Sequence, residues 1–298
     1  MDRNQKPFRP LRKPEWLKIQ RGSIGSYTHT AASIEEGGLH TICSGGNCPN
    51  RAECWSRGTA TFMIGGAVCT RACRFCATPS SAHPAPPDPE EPVRVAEAVK
   101  EMRLRYVVLT SVDRDDLPDY GANHWCSTIA AIRELCPNVV IEALVPDFNG
   151  DKKCLEQICS IHPEVVAHNL ETVRRLTPEI RHRAKYDRSL EVLRYLSDHG
   201  MVTKTGIMVG LGETPEEVEE LMRDAVNAGV STLTIGQYLQ PTRHHANVIE
   251  YVTPEQFAMY KVRGEALGLV HVESGPLVRS SYLADRQFEK AHKQLKDL

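Results

Sequence analysis

Apolar and polar positions change rhythm part-way along the chain. Up to about residue 58 there is no long periodic pattern, and turn signals such as Gly45-Gly46 and Cys48-Pro49-Asn50 recur. Such a stretch needs something besides a hydrophobic core to order it, and a bound metal cluster supplies that. From residue 59 short apolar runs alternate with helical spacing. The runs predict strands over 61–64, 106–110, 139–144, 165–169, 202–209, 232–238 and 270–272. The 3.6-residue spacing predicts helices over 93–102, 124–135, 152–161, 187–199, 215–228 and 254–267. Asp187, Thr214 and Thr253 stand in capping positions for the last three. Residues 79–92 are a proline-rich loop, and Phe288, Ala291, Leu295 and Leu298 recur helically in the tail.

Six or so β-α units rich in β-branched strands indicate an α/β fold with a parallel sheet buried on both faces. Right-handed crossovers allow an open doubly wound sheet or a full or partial barrel. Either way, ligands bind at the carboxyl ends of the strands.

Composition narrows the function. Of 298 residues, 41% are hydrophobic and 25% charged, which is ordinary for a soluble globular chain. A formal net charge of −2 excludes nucleic-acid binding by bulk electrostatics. The first 21 residues are basic but lack the apolar core of a secretory signal. No run of ~18 apolar residues suggests a membrane span. The expectation is a cytoplasmic protein, with no nucleic acid and no membrane among its partners.

Ten cysteines sharpen the picture. In a reducing compartment, tightly spaced cysteines are metal ligands or catalytic groups more often than disulfides. Cys126, Cys136, Cys154 and Cys159 are scattered and read as buried small hydrophobes. The other six form two triplets, Cys43-x4-Cys48-x5-Cys54 and Cys69-x3-Cys73-x2-Cys76. A structural zinc site takes four ligands, and neither triplet supplies four. A four-iron cluster held by three cysteines leaves one iron for another ligand. The second triplet follows the first strand, so its loop lies at the ligand-binding end.

Cys69-x3-Cys73-x2-Cys76, with Phe75 before the last cysteine, resembles the radical S-adenosylmethionine superfamily. The first triplet and the run Arg279-Ser280-Ser281-Tyr282-Leu283-Ala284 resemble the lipoyl synthase family within it. Matching stretches include Lys13 to Leu17, Thr110 to Leu117, His168 to Thr172, Gly206 to Thr214 and Gly236 to Leu239. Ala77-Thr78 and Asp119-Tyr120-Gly121 depart from the family pattern without touching a ligand position.

The resemblance implies a partial (β/α)6 barrel over 59–273, an N-terminal extension over 1–58 and a C-terminal one over 274–298. It implies two [4Fe-4S] clusters and S-adenosylmethionine as cofactors. Cys69, Cys73 and Cys76 would hold the cluster that cleaves S-adenosylmethionine. Cys43, Cys48 and Cys54 would hold an auxiliary cluster with Ser281 as fourth ligand, and Ser280 as the alternative. Neighbouring serines in an extended segment point opposite ways, so one alone reaches the iron. The implied reaction inserts two sulfur atoms at C6 and C8 of a protein-bound octanoyl-lysine. Those C–H bonds have no usable acidity, so a 5′-deoxyadenosyl radical removes hydrogen and the auxiliary cluster gives up its sulfur. Cofactor contacts are expected at Phe75, Thr110, Ser111, Asn169, Glu171, Gln237 and Tyr238. Expected partners are octanoylated carrier domains, from 2-oxo acid dehydrogenase E2 subunits and the glycine cleavage H protein, and a donor such as ferredoxin or flavodoxin.

Several features carry plainer readings. Gly210-Leu211-Gly212 reads as a strand-end turn, because a dinucleotide fingerprint needs a third glycine. Asp113 to Asp116 read as a cap with local ion pairs, and His244-His245 as solvated. Arg174-Arg175 and Arg181 to Lys185 form a basic stretch, either steering an acidic carrier or lying on a solvated helix face. Rival functions are another two-cluster radical enzyme and a noncatalytic electron-transfer module.

Overall fold

The computed structural model describes residues 11–18, 24–57 and 59–296. The basic run before Leu11, the proposed boundary at residue 58 and Leu298 lie outside the described residues. Seven strands form one parallel sheet: β1 (Thr61–Ile64), β2 (Tyr106–Ser111), β3 (Val140–Leu144), β4 (Val165–Ala167), β5 (Thr203–Val209), β6 (Thr232–Gln237) and β7 (His271–Gly275). Their spatial order follows the chain from β1 to β7. A doubly wound sheet would reverse at a switch point. This order is that of a barrel, and β1 and β7 each pair on one side only, so the barrel is partial.

The helices are α1 (Ile24–Glu36), α2 (Ile42–Gly45), α3 (Arg51–Ser56), α4 (Glu91–Glu101), α5 (Ala122–Leu135), α6 (Lys152–Ile161), α7 (Thr177–Ile180), α8 (Tyr186–Asp198), α9 (Pro215–Asn227), α10 (Pro254–Ala266) and α11 (Ala284–Lys296). Helices α4 to α10 lie between strands along the chain. Helix α9 opens with a capping box: Thr214 Oγ1 accepts from Glu217 N, and the Glu217 carboxylate accepts from Thr214 N at 2.8 Å. Thr253 caps α10 through Gln256 N. Asp187 does not cap α8. Lys185 occupies that position, and Asp187 sits in the first turn paired with Arg174.

Alternation along the strands separates two faces. Val107, Leu109, Ile141, Ala143 and Val166 pack outward with Val95, Val99, Ile129 and Ile158 of the helices. Ile207, Leu233, Ile235 and Val272 do the same with Val218, Leu221 and Phe257. The inner face carries polar groups. Lys204 Nζ donates to both Glu142 carboxylate oxygens, at 2.8 and 3.1 Å, and Tyr106 Oη donates to the same carboxylate at 2.5 Å. Burial and the adjacent carboxylate raise the Tyr106 phenol well above its ordinary pKa, so it stays a donor.

The N-terminal extension differs from its sequence reading. Helix α1 spans a stretch of Gly, Ser and Thr with weak intrinsic helix preference. Packing holds it instead: the Tyr27 and Trp55 rings lie 5.3 Å apart, and Thr30 Oγ1 donates to Trp55 O at 3.0 Å. Ile34, Leu39 and Trp55 join the same core as Phe62 and Ile64. Thr41 bridges Phe62 antiparallel, and Met63 N donates to His40 O, so this segment covers the free edge of β1.

Beyond β7, residues 276–283 form a strap of successive turns packed on the end of β6, where the sequence suggested an extended segment around the serines. A Cβ on Gly236 would collide with the Val278 carbonyl, so only glycine admits the strap at that depth. The two extensions then meet. Asn50 Nδ2 donates to Leu277 O at 2.6 Å, and Tyr282 Oη donates to the Glu53 carboxylate at 3.1 Å.

Replacing Lys204 with Met leaves Glu142 buried without its counter-charge. The expected cost is about 3–5 kcal/mol, read as a lowered urea midpoint. Adding Glu142→Gln to Lys204→Met should recover most of that loss. A single variant as stable as the parent would show that the pair is not what holds the barrel interior.

Candidate radical-cluster and auxiliary-cluster sites

The second cysteine triplet lies on the loop that leaves the carboxyl end of β1. Backbone N–H groups of Arg71 and Asp113 both donate to Cys69 Sγ at 3.3 Å. Thr70 N and Oγ1 each donate to Asp113 O at 2.9 Å, tying the loop to the residues after β2. Arg71 anchors the same junction. Its guanidinium donates to Asp115 twice at 2.8 Å and to Asp147 at 2.7 Å, and lies 3.3 Å from Asp113. The Arg71 side chain is only 4% exposed, and its single charge is shared among three carboxylates that would otherwise repel one another. Burial alone would raise the Asp147 carboxyl, but Arg71 outweighs it and holds the pKa at about 2. Burial pushes Asp113 up against the pull of Arg71.

The far side of the loop is stitched as firmly. Arg74 N donates to Ile180 O, Ala246 N donates to Arg74 O, and His245 Nε2 lies 2.9 Å from Cys76 O. Phe75 packs against the core behind β5 and β6. Burial pushes the Cys69 and Cys73 thiols up to about 12 and also raises Cys76. Iron binding therefore has to displace protons here.

Polar groups from the other strand ends face this loop. Arg181 lies in electrostatic reach of Cys73, and Glu171 of both Cys73 and Cys76. Arg181 donates to Asn169 O and Leu170 O at 2.9 and 3.0 Å, yet its Nε is buried without a partner among the described residues. Asn169 Oδ1 is likewise buried and unpartnered. Burial raises Glu171, whose backbone is left-handed with φ 65°. Unsatisfied buried donors and acceptors are rare and indicate a missing polar partner. S-adenosylmethionine offers an amino group, a carboxylate and two ribose hydroxyls, which suits this set.

The remaining expected contacts look inward to the protein. Thr110 Oγ1 donates to Leu144 O, and Ser111 Oγ accepts from Trp125 Nε1 at 3.1 Å. Gln237 Nε2 shares its two hydrogens among three carbonyls 3.0–3.1 Å away, those of Val209, Tyr238 and Glu250, while its Oε1 accepts from Val252 N. Tyr238 Oη donates to Ala246 O at 2.8 Å. Gly210 and Gly212 have positive φ, and a Cβ on Gly210 would strike Gln237, so this is the turn that the sequence suggests.

The first triplet gathers elsewhere. Cys43, Cys48 and Cys54 line one cavity of about 680 Å³, together with Arg279, Ser281 and Tyr106. Thr41 caps α2 through Ser44 N, and Cys48 N donates to Cys43 O, which folds the triplet on itself. Burial raises the Cys54 thiol to about 12, with Cys43 and Cys48 adding to it. Ser281 faces this cavity, whereas the Ser280 hydroxyl turns away to meet Asn169 at 2.9 Å. Arg279 has no carboxylate at ion-pair distance among the described residues. Burial lowers its pKa, and Cys48 alone opposes that. A guanidinium in such surroundings fits an anionic occupant, and an iron–sulfur cluster on three thiolates is one. No three His, Cys, Asp or Glu side chains among the described residues converge as a single metal ion requires. A cube spreads its cysteines over separate irons.

Three functional features escaped the sequence. Arg71 links three acidic residues that are distant in sequence, whereas 113–116 alone suggested local pairs. Arg181 is buried beside Cys73, although it stood in an apparently solvated basic run. Elsewhere in that run Arg174 pairs with Asp187 and Asp224, Arg175 with Glu217 and Arg183 with Asp115, while Lys185 Nζ donates to the His182 carbonyl. His245 bonds the Cys76 carbonyl, a contact that adjacent histidines do not announce.

A three-cysteine loop at the mouth of a partial parallel barrel defines a radical S-adenosylmethionine enzyme, and the Radical SAM superfamily model matches residues 63–225. A solved structure of methylornithine synthase shares the fold, with a TM-score of 0.56 and 14% identity over 85% of this chain and 72% of that one. Lipoyl synthase from Parabacteroides distasonis is 56% identical over 93% of this chain and 98% of its own length. Lipoyl synthase from Bacteroides fragilis is 55% identical over 93% of this chain and 96% of its own. The chain belongs to the lipoyl synthase family. It is a radical S-adenosylmethionine sulfurtransferase, it uses [4Fe-4S] clusters and S-adenosylmethionine, and its macromolecular substrate is a lipoyl carrier protein. No helix among the described residues is long and apolar enough to cross a membrane.

His168 gives a pH test of the scaffold beneath the site. It is buried between Val145 O and Ser189 Oγ, each 2.9 Å away, and burial lowers its pKa to about 4, with Arg181 adding to the shift. The folded value lies below the ordinary value of about 6.5. Its contribution is therefore complete above pH ~6.5 and is lost as pH falls toward 4, by on the order of 3 kcal/mol. Urea midpoints from neutral pH downward should fall over that window, and His168→Gln should flatten the fall. An unchanged slope in the variant would assign the acid sensitivity elsewhere.

Proposed function

We propose that the chain builds a lipoyl group by adding sulfur at C6 and C8 of an octanoyl-lysine on its carrier, with each cysteine triplet holding one cluster. One observation carries the assignment of the triplets: Ser281 shares a cavity with Cys43, Cys48 and Cys54, while Ser280 faces the other way. Cys43, Cys48, Cys54 and Ser281 hold the auxiliary cluster, and Cys69, Cys73 and Cys76 hold the other. When bound, the cluster on Cys69, Cys73 and Cys76 supplies the electron that splits S-adenosylmethionine, and the auxiliary cluster supplies sulfur.

The chain's own residues bind, orient and exclude water. Asn169 and Glu171 take the hydroxyls or amino group of S-adenosylmethionine, and Arg181 supports its carboxylate end. The main chain at Phe75 borders the adenine. Thr110, Ser111, Gln237 and Tyr238 act from behind. Their side chains fix the strand ends through backbone and indole bonds, and those ends carry the contacts. Arg279 offsets negative charge at the auxiliary site. Ser281 is a hard oxygen ligand among soft thiolates, which suits a ligand that departs as sulfur is withdrawn. The carriers are octanoylated E2 domains of 2-oxo acid dehydrogenases and the glycine cleavage H protein, with ferredoxin or flavodoxin as electron donor.

Anaerobic iron and sulfide analysis should give about eight of each per chain. Incubation with S-adenosylmethionine, reductant and an octanoylated carrier should give 5′-deoxyadenosine and lipoyl carrier. Ser281→Ala and Cys43→Ala should keep 5′-deoxyadenosine formation and lose sulfur transfer, whereas Cys73→Ala should lose both. A Ser281→Ala variant with parental lipoyl yield would overturn the serine's role.

A further inference from the structure

Ser280 is not at the auxiliary cavity, yet its side chain is held elsewhere. Its hydroxyl accepts from Asn169 Nδ2 at 2.9 Å, across 111 residues of sequence. The second Nδ2 hydrogen goes to Glu171 Oε1 at 3.0 Å. A carboxamide nitrogen has two hydrogens. Both are engaged, so the plane of Asn169 is set jointly by the strap and by Glu171. The amide has little room to turn independently, because Gly206 packs against it closely enough that a Cβ there would lie 2.9 Å from Oδ1.

Glu171 is equally constrained. Its left-handed backbone is pinned to β5 on both sides: its N donates to Gly206 O at 2.9 Å, and Met208 N donates to its O at 2.8 Å. A ligand taken by its carboxylate thus acts on the side chain and on Asn169, not on the main chain. Asn169 is hydrogen-bonded to Ser280, which is one peptide bond from Ser281. Ser280 and Ser281 are the two central residues of a turn closed by Tyr282 N donating to Arg279 O at 3.0 Å, so anchoring one fixes the place of the other.

Building on the assignment of the two sites above, we propose that Ser280 is a positioning residue that latches the strap, and that the relay Glu171–Asn169–Ser280 makes the hold of Ser281 on the auxiliary cluster depend on S-adenosylmethionine. A filled site adds a second hold on the Glu171 carboxylate, beyond the Asn169 amide, and so tightens that amide on Ser280 and, with it, Ser281. An empty site leaves the strap freer, and the sulfur store is more exposed. Linkage makes the effect reciprocal: a loaded auxiliary site strengthens S-adenosylmethionine binding by the same factor.

The test measures iron release to a chelator from the two-cluster protein, with and without S-adenosylmethionine. A variant lacking Cys43, Cys48 and Cys54 supplies the background from the other cluster. In the parent, S-adenosylmethionine should slow auxiliary iron release about fivefold or more. Ser280→Ala should abolish that ratio, and Ser280→Thr, which keeps a hydroxyl, should restore it. A Ser280 of merely structural importance would speed iron loss equally with and without the ligand and leave the ratio intact. That result overturns the latch, as does a parent protein with no ligand dependence. If Ser280→Ala holds no auxiliary iron, S-adenosylmethionine affinity is compared between the parent and the cysteine-deleted variant, and equal affinities overturn the latch. A parent binding about four irons instead of about eight would overturn the two-cluster reading itself.

Discussion

The gap between β1 and β7 is the constraint on which the rest of the molecule depends. A seven-strand parallel sheet in chain order curls but does not close. Two free edges are then left, a poor arrangement for any exposed sheet. The chain answers with its own ends. His40 and Thr41 pair with the β1 edge, the strap packs on the end of β6, and Asn50–Leu277 and Tyr282–Glu53 join the two extensions. The cavity with three cysteines and Ser281 lies at that join. The cavity proposed for the auxiliary cluster is thus built from the parts that close the gap.

The loop with the other triplet meets a different difficulty. Three thiols must stay in fixed relation on a segment with no regular structure from Gly65 to Pro79. Rigidity comes from charge and backbone bonds. Arg71 holds the ends of β2 and β3 through Asp113, Asp115 and Asp147, and α7 and the residue 245–246 turn hold the opposite side. An ion-paired hub of this kind contributes little net stability compared with apolar packing, but it fixes geometry.

The sequence made some layers of this legible and hid others. Strand and helix positions from residue 59 onward follow from periodicity, because each strand buries one face against helices and each helix has one apolar stripe. Helix 152–161 and the caps at Thr214 and Thr253 are cases where local preference and tertiary packing agree. Helix α1 was hidden because its residues have weak helix preference and Trp55, far along the chain, holds it. The cysteine spacing announced both triplets. Arg71, Arg181 and the opposed serines did not announce their roles, since those depend on which strand ends become neighbours. Gln237 and Tyr238 illustrate the opposite case: the right place at a strand end, with side chains directed into the scaffold.

The join between the two extensions also has a consequence for biosynthesis. Asn50 and Leu277, which it brings together, are 227 residues apart. At ~5–20 residues per second, the cysteines at 43, 48 and 54 leave the ribosome on the order of tens of seconds before Ser281 does. During that interval they lack Ser281 and Arg279, although β1 follows within ten residues. The cavity proposed for the auxiliary cluster is therefore completed last, after the whole barrel has been made, and a chain that stops short never finishes it.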